Sequence, residues 1–160
     1  EMKMEHGFLV PMNLCLPKKP DWPIAYVPLA VNVIQHPLPT AARCYKLGKA
    51  IREAVTAYDD DFKVAIFGTG GMSHQLSGER FGYLNSEFDK WFLDQLEGDP
   101  QELIEMSHQT LMEKAGVEAV ELIMWLIMRG AMTTNVTQLH RNYYAPMTTG
   151  MGLIALQDAS

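Results

Sequence analysis

A histidine that follows a glycine-rich turn is the residue best suited to chemistry in this sequence. His74 lies in the segment GTGGMSHQL, where Gly68, Gly70 and Gly71 permit backbone angles that other residues resist. An imidazole gains and loses a proton near physiological pH, so it can serve as a general acid or base. The alternative is a tight turn followed by a half-buried structural histidine, and this segment alone favours neither interpretation.

A carboxylate within an apolar stretch is the second candidate. Glu121 lies in VEAVELIMWLIM, which is apolar almost all round, so a charge there must be paired, neutralised or bound to a cation. From the residues alone, an ion pair with Arg129 or Arg80 is the favoured interpretation over a metal ligand. Glu118, one turn earlier, is explained by the preference of helix N-termini for acidic residues.

Two histidines and one carboxylate have the most site-like surroundings. His6, His74 and Glu121 would suit a facial non-haem Fe(II) site, although their spacing forms no local ligand motif. We expect His6 in a loop, and we interpret His108 and His140 as solvated residues.

The glycine loop also has a rival interpretation. A strand followed by GTGG could hold a phosphate with its backbone amides. The segment lacks the Gly-Lys-Ser/Thr ending of a P-loop and the spacing of a dinucleotide fingerprint, so phosphate binding is the lesser hypothesis.

Alternating strands and helices must position these residues. Apolar patterns predict strands at residues 24–34, 64–67 and 153–156, and helices at 41–58, from about 86, from about 100 and at 117–128. Thr40 is expected to lead into the first of these helices, and Asn85 or Ser86 can cap the second. This alternation predicts an α/β fold, layered α/β/α with a central, largely buried sheet. His74 would then emerge at the carboxyl end of a strand, where such folds bind ligands.

Composition narrows the class of protein. The chain has 160 residues, 48% of them hydrophobic and 20% charged, which is enough for one globular domain. The net charge of -6 argues against nucleic acid or an anionic membrane surface as partner. Cys15 and Cys44 are expected to be reduced core residues of a cytoplasmic protein. The opening EMKMEHG reads as the tail of a strand entering a site, which predicts that a longer chain precedes Glu1.

Three separated segments carry a resemblance. GTGGMSHQLSGERFGYLNSEFD, GVEAVELIMWLIMRGAM and MEHGFLVPMNL closely resemble the catalytic β chain of the protocatechuate 4,5-dioxygenase family, class III extradiol ring-cleavage enzymes related to gallate dioxygenase. The resemblance covers essentially the whole chain and implies that residues 1–160 are the C-terminal part of a single catalytic domain. It implies Fe(II) as cofactor, and a catecholic aromatic acid and O2 as substrates. It also implies an oligomer, with a small α subunit among the candidate partners.

The resemblance assigns roles residue by residue. It implies that His74 is the catalytic acid/base, that Glu121 is the carboxylate ligand of iron, and that His6 binds substrate near the metal. The two iron-ligating histidines of the family would lie in an N-terminal part that this chain lacks. Thr148 and Thr149 fall where the family contacts the carboxylate side of the substrate. Protocatechuate enzymes often have a serine-asparagine pair there, so the choice between protocatechuate and gallate stays open. A metal-free binding module of the same fold is a separate alternative that also stays open.

Overall fold

A computed structural model describes residues 6–16 and 22–159 of the chain. The residues divide into two compact units, Glu1–Asn32 and Val33–Ser160. In the described part of the first unit, α1 (His6–Cys15) is accompanied by an aromatic cluster in which the rings of Trp22 and Tyr26 lie 5.2 Å apart. No helix among the described residues is long and apolar enough to cross a membrane.

The second unit is helical, with one small sheet. Its elements, in chain order, are α2 (Ala41–Thr56), α3 (Ser86–Glu97), α4 (Gln101–Glu105), α5 (His108–Ala115), a 3₁₀ helix (Glu118–Met124), α6 (Trp125–Gly130), β1 (Val136–Tyr144) and β2 (Met151–Asp158). The described residues are therefore of mixed α and β structure, as predicted. They do not form the central buried sheet that the sequence led us to expect.

The predicted helix starts are confirmed at two caps. The hydroxyl of Thr40 accepts the N–H of Arg43 at the start of α2, and the side chain of Asn85 accepts the N–H of Phe88 at the start of α3. Each bond satisfies a backbone donor that lacks a partner within its own helix.

The apolar face predicted for α2 is only partly buried. Cys44 is buried, whereas Leu47 and Val55 are exposed. The reason is that α2 packs on α6 through small residues. A Cβ on Gly48 would lie 2.1 Å from the carbonyl oxygen of Ile127, so only glycine permits this approach. The close contact brings the backbones together and leaves the larger side chains of α2 at its margins.

A hydrophobic core surrounds α3 and α6. Its fully buried or nearly buried members include Phe92, Leu93, Leu96, Trp125 and Leu126. The rings of Phe92 and Trp125 meet edge to face with centroids 6.2 Å apart, which is a favoured geometry for aromatic pairs.

The sheet is a two-stranded hairpin, and the sequence predicted only one of its strands. β1 and β2 pair antiparallel, with Asn142 opposite Leu153 and Tyr144 opposite Met151. β2 contains the strand predicted at residues 153–156. β1 was not predicted, because its sequence VTQLHRNYY mixes polar and aromatic residues that lie mostly at the surface. The connection between the strands, residues 145–150, carries Thr148 and Thr149.

Three predicted elements differ from the structure. Residues 24–34 and 64–67 belong to no strand, because no described segment pairs with either. The helix predicted at 117–128 is divided into the 3₁₀ helix and α6, and it extends to Gly130. Cys15 is exposed rather than in the core, and both described cysteines are free.

Candidate functional site

The backbone and ring of His74 are held by hydrogen bonds on both sides. Its N–H donates to the carbonyl of Ala115 at 2.8 Å, and its ring Nδ1 lies 2.7 Å from the carbonyl oxygen of Met72. A carbonyl can only accept, so Nδ1 carries the hydrogen of this bond. In the neutral ring Nε2 therefore holds the lone pair. Since His74 is 6% exposed, the ring is fixed and nearly buried rather than solvated.

Glu121 reaches the same loop from the 3₁₀ helix. Its Oε2 accepts the backbone N–H of Gly71 at 2.9 Å. A Cβ on Gly70 would lie 2.8 Å from the Cβ of Glu121, and the φ of Gly70 is +135°. Gly70 is therefore required both for the backbone angle and for the approach of the glutamate.

The ion pair favoured for Glu121 is not formed. Arg129 donates to the carbonyls of Leu96, Thr133 and Thr134 instead. Burial lowers the pKa of the Arg129 guanidinium.

Arg80, the other candidate, stacks on the ring of Tyr83 and donates to the carbonyls of Met112 and Glu113. The prediction of a charge partner for Glu121 at Arg129 or Arg80 was therefore wrong.

Gly71 is the residue at which the candidate side chains meet. Besides its bond to Glu121, a Cβ at this position would lie 2.8 Å from Cε1 of His74 and 3.3 Å from Cγ2 of Thr149. The structure thus brings His74, Glu121 and Thr149 together around one glycine. His74 and Glu121, which are separated by 47 positions (121 − 74) in the sequence, therefore lie against the same glycine.

The hairpin connection is joined to the histidine segment by backbone bonds. His74 and Thr149 form an isolated antiparallel bridge, and the N–H of Met72 donates to the carbonyl of Gly150 at 3.0 Å. Thr148 points elsewhere, because its Cγ2 lies 3.8 Å from where a Cβ of Gly82 would be. The two threonines therefore face different parts of the loop, with Thr149 the nearer to His74.

The remaining histidines have separate environments. His6 is the first residue of α1 and is exposed, so it does not lie in the loop that we expected. It belongs to the first unit, whereas His74 and Glu121 belong to the second. Nε2 of His108 lies 2.8 Å from the carbonyl oxygen of Pro39, which corrects its interpretation as a solvated residue. His140 is exposed on β1, as expected.

The donor set near Gly71 is incomplete for a metal. Among the described residues no group of three His, Cys, Asp or Glu side chains could hold a metal ion. Glu121 offers one carboxylate, whereas a facial Fe(II) site needs two imidazoles beside it. The described residues therefore do not form such a site by themselves.

The phosphate hypothesis finds no support in the loop. The N–H groups of Gly71, Met72, Ser73 and His74 all have protein acceptors. The acceptor at Gly71 is a carboxylate, which would repel a phosphate. The loop also leads into turns rather than into a helix, since α3 begins only at Ser86. The carboxylate of Glu121 therefore disfavours a phosphate at the Gly71 end of the GTGG segment.

Sequence reasoning missed two residues that support His74. Gly116, with φ +97°, lies so close that a Cβ would be 2.1 Å from the carbonyl oxygen of His74. Asp89 is fully buried and binds Ser73, the residue before His74. Asp89 lies in the first turn of α3, where acidic residues are favoured by the helix dipole. Its sequence position therefore gave no sign of its contact with Ser73. Gly116 was interpreted only as preceding a helix.

The sequence matches the family model of the catalytic LigB subunit of aromatic ring-opening dioxygenase over residues 1–154. The chain belongs to this family. Membership in the LigB family confirms the resemblance stated from the sequence.

Curated relatives agree with the family assignment. The chain is 49% identical to a gallate dioxygenase of Pseudomonas putida over 155 residues, which are 97% of this chain and 46% of that protein. It is 29% identical over 89 residues to a 2,3-dihydroxyphenylpropionate/2,3-dihydroxicinnamic acid 1,2-dioxygenase of Photorhabdus laumondii, covering 56% of this chain and 27% of the relative. A second such enzyme, from Pseudomonas putida, is 26% identical over 193 aligned positions and 60% of its length. The LigB-family chain thus spans about half the length of its gallate dioxygenase relative.

Proposed function

We propose that residues 1–160 form the C-terminal part of a single extradiol dioxygenase catalytic domain. The proposed activity is extradiol (meta) cleavage of a carboxylated catechol, such as protocatechuate or gallate, in aromatic degradation. The observation that supports this most directly is the meeting of His74 and Glu121 at Gly71 in a LigB-family chain. An acid/base group beside a candidate metal ligand is what such a reaction requires.

His74 is proposed as the catalytic acid/base. Its Nδ1–H is engaged by the carbonyl of Met72, so Nε2 can accept a phenolic proton from the substrate and later return one. The carbonyl of Met72 also orients the imidazole. Both ring nitrogens carry hydrogens in the imidazolium, so Nδ1–H still donates to this carbonyl and the charged ring is stabilised. Gly71 leaves room for Cε1 of the ring.

Glu121 is proposed as the carboxylate ligand of non-haem Fe(II). Its Oε2 is held by the N–H of Gly71, and no described residue donates a hydrogen bond to Oε1. Two imidazole ligands would come from outside the described residues. When bound, Fe(II) supplies a centre that lowers the cost of deprotonating the catechol and brings it together with O2.

Thr148, Thr149 and His6 are proposed to bind the substrate. The backbone of Thr149 pairs with that of His74, so Thr149 is the better placed of the two threonines to contact a ring that approaches Nε2. The relative that acts on gallate, by its name, shares 49% identity with this chain. A carboxylated catechol is therefore the substrate class that we propose, with O2 as co-substrate.

The environment of residues 64–67 supports a larger sheet in the complete protein. Val64 and Phe67 are about half exposed, at 52% and 50%. Pairing with strands from elsewhere would bury them, and it would give the layered α/β/α arrangement that we propose for the whole domain. We further propose a cytoplasmic oligomer, with a small α subunit as one candidate partner.

The test is an assay of the complete protein purified anaerobically with Fe(II). We expect stoichiometric iron, O2 uptake and a yellow ring-opened product with protocatechuate or gallate. A folded, iron-loaded protein that consumes no O2 with these two catechols or with 2,3-dihydroxyphenylpropionate would contradict the proposal. A folded protein that binds these catechols without iron would instead be a metal-free binding module, the alternative that the incomplete donor set favours.

A further inference from the structure

A buried carboxylate lies directly behind the His74 segment. Asp89 is 0% exposed and accepts three hydrogen bonds from residues outside its own helix. The donors are the N–H of Ser73 at 2.8 Å, the hydroxyl of Ser73 at 2.6 Å and the hydroxyl of Tyr143 at 2.8 Å. A buried carboxylate is costly unless such donors surround it, so these hydrogen bonds offset the burial of Asp89.

The position of Asp89 in α3 does not explain these bonds. An acidic residue in the first helical turn is stabilised by the macrodipole without reaching outside its helix. The cap of α3 is supplied by Asn85, whose side chain accepts the N–H of Phe88. The carboxylate of Asp89 is therefore available to hold other segments.

Ser73 has every polar group engaged. Its N–H and hydroxyl donate to Asp89, its Oγ accepts the N–H of Asn85 at 2.8 Å, and its carbonyl accepts the N–H of Gly150 at 2.9 Å. His74 follows directly, so its backbone is fixed from one side by Ser73 and from the other by its bond to Ala115.

The hairpin connection rests on the same carboxylate. A Cβ on Gly150 would lie 2.3 Å from Oδ2 of Asp89 and 3.1 Å from the hydroxyl oxygen of Tyr143. The backbone next to Thr149 thus packs against Asp89 and Tyr143. Burial, together with the nearby Asp89 carboxylate, raises the pKa of Tyr143 above its ordinary value of 10.0, so the phenol stays a donor at neutral pH.

We propose that Asp89 is a positioning residue that fixes His74 relative to the hairpin connection carrying Thr149. Asp89 touches neither substrate nor reacting atoms. It acts through Ser73 on one side and through Tyr143 and Gly150 on the other. The functional part of this inference rests on the proposed role of His74, whereas the positional part does not.

The positional part is tested by hydrogen exchange on Asp89→Asn in the complete protein. Asn has nearly the shape of Asp but lacks the charge. Its NH2 group also faces the three hydrogen-bond donors that surround the Asp89 carboxylate. We expect faster exchange of the amides in residues 72–76 and 148–152, with α2 unchanged. The matched control is Asp94→Asn, which alters an exposed carboxylate on the same helix that pairs with Arg141. Equal exchange in the two variants would overturn the proposal, whether or not the wild-type protein cleaves catechols.

The functional part is tested by a double variant. We expect Asp89→Asn to keep its iron and to lower kcat by on the order of 10–100-fold, the effect of a slightly misplaced catalytic group. If Asp89 acts through His74, adding Asp89→Asn to His74→Ala should change kcat by no more than about twofold. A full additional loss in the double variant would make Asp89 independent of His74.

If Asp89→Asn does not fold, two milder variants test the same network. Ser73→Ala removes one hydroxyl from the network but keeps the N–H bond to Asp89, and Tyr143→Phe removes the other hydroxyl. Each should speed exchange in both segments, 72–76 and 148–152, relative to Asp94→Asn. Faster exchange confined to 72–76 in Ser73→Ala, or to 148–152 in Tyr143→Phe, would show that Asp89 does not join the two segments, and would overturn the proposal.

Discussion

The backbone N–H of Gly71 donates a 2.9 Å hydrogen bond to Oε2 of Glu121, although 50 positions separate the two residues. The same glycine leaves space for the ring of His74. One residue without a side chain therefore lies against both a carboxylate and an imidazole. The chemistry proposed for this LigB-family chain depends on that arrangement.

Replacing His74 should remove most of the turnover without removing iron. In the complete protein, His74→Ala is expected to lower kcat by roughly 10²–10⁴-fold, the usual contribution of a general acid or base. Iron content, measured directly on the purified protein, should stay at the wild-type level. His140→Ala is the control, because His140 is exposed on β1. Loss of iron from His74→Ala would make His74 a ligand instead.

Replacing Glu121 should weaken iron binding as well as activity. Glu121→Gln keeps an oxygen that can accept the N–H of Gly71, so the loop should stay folded. The amide is a poorer ligand than a carboxylate, and we expect weaker Fe(II) binding in an anaerobic titration together with loss of activity. Glu113→Gln, an exposed residue of α5, provides the comparison. Wild-type iron affinity in Glu121→Gln would exclude Glu121 as a ligand.

Gly116 should be intolerant of any side chain. Its φ is +97° and a Cβ would lie 2.1 Å from the carbonyl oxygen of His74, so Gly116→Ala combines strain with overlap. We expect a loss of roughly 3 kcal/mol or more in the free energy of unfolding, measured with urea. Gly78→Ala isolates the strain, because Gly78 has φ +73° and an added Cβ would make only an ordinary contact, 3.7 Å from Nε2 of Gln75. This control should lose only about 1 kcal/mol, and equal losses would show that the overlap is relieved.

Asp158 should make stability depend on acid pH. Burial acts to raise its pKa, but hydrogen bonds from Thr133 and Arg52 outweigh it and hold the pKa below the ordinary value of 3.8. A carboxylate whose pKa is lower in the folded state stabilises the fold above 3.8, and this contribution disappears as the pH falls through the folded value. Asp158→Asn should therefore be less stable than wild type near neutral pH.

The difference between Asp158→Asn and wild type should shrink in acid, as followed by urea unfolding at a series of pH values. The matched control is Asp59→Asn, in the exposed turn after α2. A constant difference between Asp158→Asn and wild type across the acid range would contradict the linkage.

Residue types and their spacing were enough to predict the local features of the chain. Thr40 and Asn85 cap helices because their side-chain oxygens reach backbone donors three residues ahead, an interaction that needs no distant partner. The glycines before His74 and the carboxylate within an apolar stretch were likewise evident from residue type. Three motifs in order were enough to suggest the family, which the family model confirms.

The residues that share a site from distant parts of the chain are set by how the elements pack. Arg129 was a reasonable partner for Glu121 by sequence, yet its guanidinium binds the carbonyl of Leu96 in α3 and that of Thr133 after α6. Asp89 looked like an ordinary first-turn residue, and its bonds to Ser73 and Tyr143 arise from the packing of α3 against the hairpin. Strands need partners, so whether residues 64–67 form one depends on which segments pair with them. Long-range hydrogen bonds and pairing are set by the packing of whole elements, which no local pattern encodes.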